Sequence, residues 1–252
     1  MIVEFVGPAG AGKTTFAHAL CRQLRKHGQT ATVVLTYQPG GKQSRLDPGG
    51  MVSALLRVAN AIADPIVIGC RPFANAVIFR IAASLVRTLP PRNAMWLARF
   101  SQYVLRLAYV WNQSLARDEV VIFDQAFVQA VASLALFNGT ADEVALAHAL
   151  EIIPRSDLVV RIDAPQELRE ARLNDRRRRQ NFAERLFEAG LSTNLKSAAV
   201  VERVIELLKA GGDCSIIEID ASDERPLDRT IGAIENEILA RTGGLAGRNA
   251  AS

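Results

Sequence analysis

The most constraining stretch of this chain is the junction between an apolar run, IVEFV at residues 2–6, and the glycine-rich sequence GPAGAGKT at residues 7–14. The octapeptide matches GxxxxGK[ST] at every fixed position, and a helical pattern begins directly after it. In such a junction, backbone N–H groups and a helix N-terminus surround phosphate oxygens, and the lysine reaches the β- and γ-phosphates. The junction therefore predicts a strand, a loop that binds a nucleoside triphosphate, and a helix.

The same motif predicts a role for each of its side chains. Lys13 would neutralise charge on the β- and γ-phosphates, and Thr14 would be a ligand of Mg²⁺. A glycine-rich turn that binds nothing is the alternative, and the joint presence of motif and context argues against it. We expect ATP and Mg²⁺ as cofactors, with the nucleotide bound by residues of the loop and the first helical turn: Gly7, Gly10, Ala11, Gly12, Lys13, Thr14 and Thr15.

Further apolar runs alternate with helical patterns along the chain. Their near-continuous hydrophobicity is typical of buried parallel strands, and they lie at residues 31–36, 119–123, 157–162 and 215–219. The alternation predicts an α/β fold, a doubly wound five-stranded parallel sheet covered by helices on both faces. We expect a single domain over residues 1–242 with an enlarged helical segment at about 42–117, followed by a flexible tail at residues 243–252.

Charge and cysteine usage exclude several classes of protein. The net charge is +4, but residues 51–116 contain seven arginines and one acidic residue, which favours a local anionic ligand over a nucleic-acid-binding coat. The three cysteines have neither CxxC nor metal-site spacing, so they predict no disulfide framework and no zinc site. The sequence shows no signal-like start and no uninterrupted membrane span, and we expect a cytoplasmic protein.

The residues after the third apolar run indicate the type of reaction. EVVIFDQAF places Asp124 at the end of a strand and follows it with Gln125, where water-activating ATPases usually carry a glutamate. Transfer to a bound acceptor is therefore favoured over hydrolysis. Asp124 would orient or deprotonate the acceptor, or bind Mg²⁺; its alternative role is the N-cap of the following helix.

Four further segments follow the phosphate loop in a distinctive order and spacing: LTYQPGG at 35–41, VVIFDQAF at 120–127, DLVVRIDAPQELREARLNDRRRR at 157–179 and IIEIDASDERPLDRTIGAIENEI at 216–238. In these motifs the chain resembles the thymidylate kinase branch of the P-loop nucleoside and nucleotide kinases. The resemblance implies ATP-dependent phosphotransfer.

The resemblance also implies positions for the lid and for the adenine. A lid at about 169–190 would bring an arginine to the transferring phosphoryl group, and Arg172 and Arg176 are the candidates. A solvated face is the alternative interpretation of this arginine run. Ala221, in the turn after the last strand, would lie near the adenine.

The departures from the family pattern fall on the acceptor side. Tyr37 and Gln38 stand where the family has Arg-Glu, and Gln125 stands where the family's Asp is followed by Arg. Together with Arg99 of the basic helical segment, these residues are candidates for contact with the acceptor. We expect a small anionic or nucleotide-like acceptor, and its identity stays open.

Two classes of function remain open at this point. One is a small-molecule kinase; the other is an ATP-binding regulatory or adaptor protein whose basic, aromatic helices contact a partner or an anionic membrane surface. Arg92, Arg99 and Arg106 recur every seven residues and share one helix stripe, for which a solvated rim around an aromatic core is the simpler interpretation. No nucleic-acid partner is expected, and the oligomeric state, a homodimer included, stays open.

Overall fold

The computed structural model describes residues 1–35, 76–179, 191–212, 214–221 and 227–249. Strands and helices alternate along most of this part of the chain. In chain order they are β1 (Ile2–Val6), α1 (Lys13–Lys26), β2 (Ala31–Val34), α2 (Ala76–Thr88), α3 (Ala94–Leu115), β3 (Val120–Phe123), α4 (Phe127–Asn138), α5 (Glu143–Ile152), β4 (Leu158–Asp163), α6 (Gln166–Arg179), α7 (Leu191–Ala210), β5 (Ile216–Asp220) and α8 (Leu227–Asn249).

The strands form one five-stranded sheet in the order β2-β3-β1-β4-β5. Every neighbouring pair is parallel, and β1, the central strand, is buried along its whole length. The predicted fold class, a doubly wound parallel α/β sheet, is confirmed. Since the strand order reverses beside β1, the loop that follows β1 lies at the switch point where α/β sheets bind ligands.

Residues of β1 contribute alternately to two hydrophobic cores. Ile2 and Val6 pack into the core that includes helices α2, α3, α4, α5 and α7. Val3 and Phe5 pack into the core formed with α1 and α8. Successive side chains of a strand point to opposite faces of the sheet, and burying each of these apolar groups contributes about 1.5–3 kcal/mol. The central strand is therefore held from both sides.

The helical segment predicted at 42–117 is described from residue 76 onward. It divides into α2 and α3 on either side of Pro90 and Pro91, since proline breaks a helix. Asn93 caps α3 by accepting a hydrogen bond from the N–H of Met95 at 2.8 Å. Residues 42–75 lie outside the described part of the chain. Among the described residues, no helix is both long and apolar enough to cross a bilayer.

The C-terminal end differs from the tail predicted at residues 243–252. Helix α8 continues through Asn249, so residues 243–249 are helical. Glycine in a helix is less favourable than alanine by about 1 kcal/mol per residue, a cost that does not by itself end a helix. Helix α8 accordingly includes Gly243 and Gly244.

Candidate active site

The phosphate loop joins β1 to α1 at the carboxyl edge of the sheet, and its geometry requires glycine. Gly10 and Gly12 have φ angles of 83° and 102°, in the left-handed region that side chains disfavour. At Gly7 the φ angle is not the constraint: a Cβ there would lie 2.2 Å from the carbonyl oxygen of Ile162 in β4. Without a side chain at Gly7, the loop packs directly against β4. The left-handed turns at Gly10 and Gly12 lead into α1, where backbone N–H groups at the helix N-terminus can approach an anion.

Lys13 lies within this loop. It is the first residue of α1, is 8% exposed, and its Nζ donates hydrogen bonds to the carbonyl oxygens of Gly7 at 2.7 Å and Pro8 at 3.0 Å. The ammonium group is thus held against the loop backbone, on the side where the motif places the β- and γ-phosphates.

Thr14 and Asp124 are adjacent although they are 110 residues apart in the sequence. Thr14 Oγ1 donates a hydrogen bond to Asp124 Oδ2 at 2.9 Å, and Asp124 is 4% exposed. The N-cap of α4 is Ala126, so the alternative that Asp124 is the N-cap is wrong. Asp124 does not cap the helix because its carboxylate faces the phosphate loop across the edge of the sheet, where it accepts the hydrogen bond from Thr14. The chain enters α4 two residues later, at Ala126.

The residues present fit a magnesium ion bound with nucleotide. A hydroxyl and a carboxylate oxygen, in contact beside a loop too tight for a Cβ, are the oxygen ligands that Mg²⁺ prefers. In the described ranges there is no group of three or more His, Cys, Asp and Glu side chains able to hold a metal. Thr14 and Asp124 would therefore share the ion with phosphate oxygens and water, which is how Mg²⁺ is usually bound.

Two buried side chains brace the loop from behind, and sequence reasoning missed both. Gln129 in α4 accepts a hydrogen bond from the N–H of Gly7 at 3.1 Å, and Ser197 in α7 accepts one from the N–H of Ala9 at 3.2 Å. These partners are 122 and 188 residues away in sequence. No local motif marks such residues, because a glutamine or serine in a helix has the same pattern whether or not it reaches a loop.

A buried carboxylate lies behind this brace. Glu4 in β1 is fully buried, and its carboxylate accepts hydrogen bonds from the N–H of Gln129 at 3.1 Å and from the hydroxyl of Ser156 at 2.9 Å. Burial raises the pKa of Glu4 from 4.5 to about 7, although these hydrogen bonds oppose the shift. The sequence signal was the acidic residue itself, in the middle of an otherwise apolar strand.

Helix α6 brings the predicted lid arginine to the loop. Arg172 Nη1 donates hydrogen bonds to the carbonyl oxygens of Gly10 at 3.2 Å and Ala11 at 3.1 Å. A Cβ on Gly10 would lie 3.0 Å from the carbonyl oxygen of Arg169, so the helix backbone also packs on the loop. Arg176 follows one turn later in the same helix. A guanidinium group at this position can stabilise charge on a transferring phosphoryl group.

The remaining candidates are placed as follows. Ala221 directly follows β5, and its N–H donates to the carbonyl oxygen of Asp163 at 2.8 Å, at the sheet edge that carries the phosphate loop. Thr15 is exposed in the first turn of α1, and Gln125 is half-buried beside Asp124. Tyr37 and Gln38 lie outside the described residues.

Arg99 lies on α3 in an aromatic cluster. Its guanidinium carbon is 4.5 Å from the centre of the Trp96 ring, and that ring is 4.2 Å from the ring of Phe137. Trp111, on the same helix, contacts Phe123 at the end of β3 with ring centroids 5.2 Å apart. Twelve helical residues separate Arg99 from Trp111, about 18 Å along the axis. Contact between Arg99 and an acceptor therefore stays a prediction.

Comparison with known proteins gives a likeness of fold. No family model and no curated protein sequence matches the chain. Among solved structures, the chain is similar to deoxyadenosine kinase from M. mycoides with bound dATP, at 12% sequence identity over 94% of this chain and 99% of that chain, with a TM-score of 0.47. It is similar to the same enzyme with the products dCMP and a flexible dCDP at 13% identity over 95% of this chain and 99% of that chain, with a TM-score of 0.48. With bound dCTP the identity is 13% over 95% of this chain and 100% of that chain, and the TM-score is 0.43. The resemblance to the thymidylate kinase branch stays a prediction. The P-loop fold of the chain follows from its own strand order and phosphate loop.

Proposed function

We propose that this protein is a Mg-ATP-dependent phosphotransferase of the nucleoside and nucleotide kinase type. The observation that carries the proposal is the 2.9 Å hydrogen bond between Thr14 and Asp124 beside the glycine loop. It joins a metal-binding hydroxyl to a buried carboxylate at the place where phosphates would bind. Transfer is favoured over hydrolysis because Gln125, and not a glutamate that could activate water, follows Asp124.

Each side chain at the site has a separate role in the proposed phosphotransfer. The ammonium group of Lys13 and backbone N–H groups of the loop and the first turn of α1 bind the β- and γ-phosphates, apart from the N–H groups of Gly7, Ala9 and Ala11, which donate within the protein. Arg172 stabilises charge that develops on the transferring group. When bound, Mg²⁺ supplies further neutralisation of the phosphate oxygens. Asp124 orients the acceptor, or accepts the proton where the acceptor is a hydroxyl, as the new P–O bond forms and the bond to ADP breaks. Little covalent chemistry is asked of the protein, because positioning and electrostatics supply most of the catalysis.

The acceptor is a small anionic or nucleotide-like molecule. We place its site between Asp124, the Tyr37-Gln38 segment and the arginine-bearing helices α2 and α3. The basic character of residues 51–116, with seven arginines and one acidic residue, supports an anionic ligand. Thymidylate-kinase-like chemistry with a different acceptor accounts for Tyr37, Gln38 and Gln125 at positions where that family carries other residues.

A search for the acceptor tests this proposal. Purified protein is incubated with Mg-ATP and a pooled metabolite panel, and mass spectrometry identifies a compound that gains a phosphate. We expect ADP formation to depend on that compound, to disappear in Lys13→Ala, and to fall by about 10²- to 10⁴-fold in Asp124→Asn. The asparagine keeps an oxygen acceptor for the Thr14 hydroxyl but can take no proton.

Two outcomes contradict the proposal. Full activity in Lys13→Ala would remove the phosphate loop from the reaction. Slow ATP hydrolysis that no panel compound accelerates would favour a regulatory or adaptor protein, in which nucleotide binding gates a contact made elsewhere on the molecule.

A further inference from the structure

Glu4 stands three residues before the phosphate loop in the central strand, and its hydrogen bonds lead to that loop. Glu4 Oε1 accepts from the main-chain N–H of Gln129 at 3.1 Å, and the side-chain oxygen of Gln129 accepts from the N–H of Gly7 at 3.1 Å. A single residue, Gln129, therefore connects the carboxylate to the first residue of the loop. Both hydrogen bonds are buried, where water does not compete for them.

The same carboxylate substitutes for a missing helix cap. Ala126, the N-cap of α4, has no side chain that can accept a hydrogen bond, and Gln129 is the third residue of the helix, whose N–H an N-cap side chain normally satisfies. Glu4 satisfies this N–H from a neighbouring strand, and a negative charge there also suits the helix dipole. The start of α4 is thereby fixed two residues after Asp124.

We propose that Glu4 is a positioning residue for the proposed phosphotransfer: through Gln129 it holds both the phosphate loop at Gly7 and the segment that carries Asp124. This inference rests on the proposed function and deepens it. An ionised carboxylate makes shorter and stronger hydrogen bonds than a neutral one. The two halves of the site are therefore held most firmly when Glu4 is charged.

The surroundings allow Glu4 to change charge near neutral pH. Its strand neighbours in register are Phe123 and Val159, and the desolvation that accompanies full burial raises its pKa to about 7. Among the described residues, the thiol of Cys214 is a titratable group that interacts with Glu4 electrostatically, and its own pKa is raised by burial and then by the charge of Glu4. The charged groups near that thiol are Arg155 and Arg241. The ordering of the site then follows the charge of Glu4, with a midpoint near pH 7.

Amide resonances of the full-length protein test the link without nucleotide. We expect the N–H signals of Gly7 and Gln129 to titrate together with a midpoint near pH 7, and to lose that titration in Glu4→Gln. In Gln129→Met, which keeps the side-chain length but removes the acceptor, the amide at position 129 still titrates and that of Gly7 does not. In Ser156→Ala, a matched control that removes only the side-chain hydrogen bond to Glu4, both amides titrate at higher pH.

Two outcomes of the amide titrations would overturn the role proposed for Glu4. A Gly7 signal that is insensitive to pH, or one that titrates unchanged in Glu4→Gln, means that Glu4 does not act on the loop. A Gly7 titration that survives Gln129→Met means that the charge acts through space and that Gln129 carries no coupling.

Binding of Mg-ADP, measured by calorimetry at pH 6 and pH 8, tests the consequence for the site. We expect wild type to bind about five-fold more tightly than Glu4→Gln at pH 8 and equally at pH 6, since only the charged form strengthens the brace. The same ratio of wild-type to Glu4→Gln affinity at both pH values contradicts the role proposed for Glu4 and leaves the proposed phosphotransfer untouched. Failure of wild type to bind Mg-ADP contradicts the proposed function, and with it any role in nucleotide binding, while the amide titrations still decide whether Glu4 is linked to the loop.

Discussion

Glu4 puts a carboxylate in a place where the core on that face of the sheet otherwise holds apolar side chains. Ile2 and Val6, its neighbours on the same face of β1, are buried in that core. A charge there is costly, and hydrogen bonds such as those from Gln129 and Ser156 offset only part of the desolvation, since the pKa of Glu4 is still raised. The residue therefore costs stability at neutral pH in return for a fixed loop and a fixed helix start.

The stability of wild type should depend on pH through this group. The pKa of Glu4 in the folded state, about 7, is above its ordinary value of 4.5. The contribution of protonated Glu4 to the free energy of unfolding is therefore fully present below about pH 4.5 and is lost as the pH rises through 7. We expect Glu4→Gln, which never ionises, to gain about 3 kcal/mol in free energy of unfolding relative to wild type between pH 4.5 and pH 8. Urea denaturation of both proteins across this range measures the difference; parallel curves would contradict it.

Gly7 shows a steric requirement that a matched glycine lacks. A Cβ at Gly7 would lie 2.2 Å from the carbonyl oxygen of Ile162, whereas a Cβ at Gly232 in α8 has no atom within 4 Å. We expect Gly7→Ala to lower the free energy of unfolding by more than about 2 kcal/mol, and Gly232→Ala to raise it by about 0.5–1 kcal/mol because alanine favours a helix. Denaturant titrations compare the two. Equal effects would show that the loop relaxes away from β4.

At the scale of secondary structure, α6 is the helix that brings Arg172 to the phosphate loop. Arg172 reaches the carbonyl oxygens of Gly10 and Ala11, while Arg178 on the same helix is exposed. We expect Arg172→Ala to reduce the kcat of the acceptor-dependent reaction about ten-fold or more with little change in the KM for ATP, and Arg178→Ala to leave both unchanged. A loss in KM alone would assign Arg172 to ground-state binding.

Helix α4 shows why an element boundary escaped sequence reasoning. A strand followed by Asp and a helical pattern suggests an N-cap, yet the cap position is Ala126, and a carboxylate from another strand satisfies the third N–H of the helix. Capping is usually local in sequence, so a cap supplied across the sheet leaves no pattern around residues 124–127. Asp124 is thereby left to contact Thr14.

For the molecule as a whole, nucleotide binding should stabilise the fold, because the site joins β1, β3, α1, α4, α6 and α7. At Mg-ADP concentrations of about one hundred times the Kd, the gain is about 2.7 kcal/mol, or about 5–10 °C in Tm for a chain of this length. Thermal unfolding with and without Mg-ADP checks this, with Lys13→Ala as the control that loses most of the shift. An equal shift in the variant would place the nucleotide elsewhere.

Local patterns of residues were enough to predict the fold class, the strands and the phosphate loop. These features depend on neighbours within a few residues: apolar runs of strand length, helical periodicity, and glycines where a side chain would be strained or would overlap the sheet. Lys13, Thr14 and Asp124 followed from the same local patterns, since each belongs to a loop or a strand end whose chemistry is set by residue type and position.

The contacts that support the phosphate loop come from the folded structure and follow from no local pattern. The hydrogen bonds from Gly7 to Gln129 and from Ala9 to Ser197, and the contact of Thr14 with Asp124, cross 122, 188 and 110 residues of sequence. Such pairings form when the sheet brings the ends of β1 and β3 and the faces of α4 and α7 together, and no short stretch of sequence encodes them. Burial decides the charge behaviour of Glu4 for the same reason: the pKa of a carboxyl group depends on the solvent and the donors around it, and those are set by the whole fold.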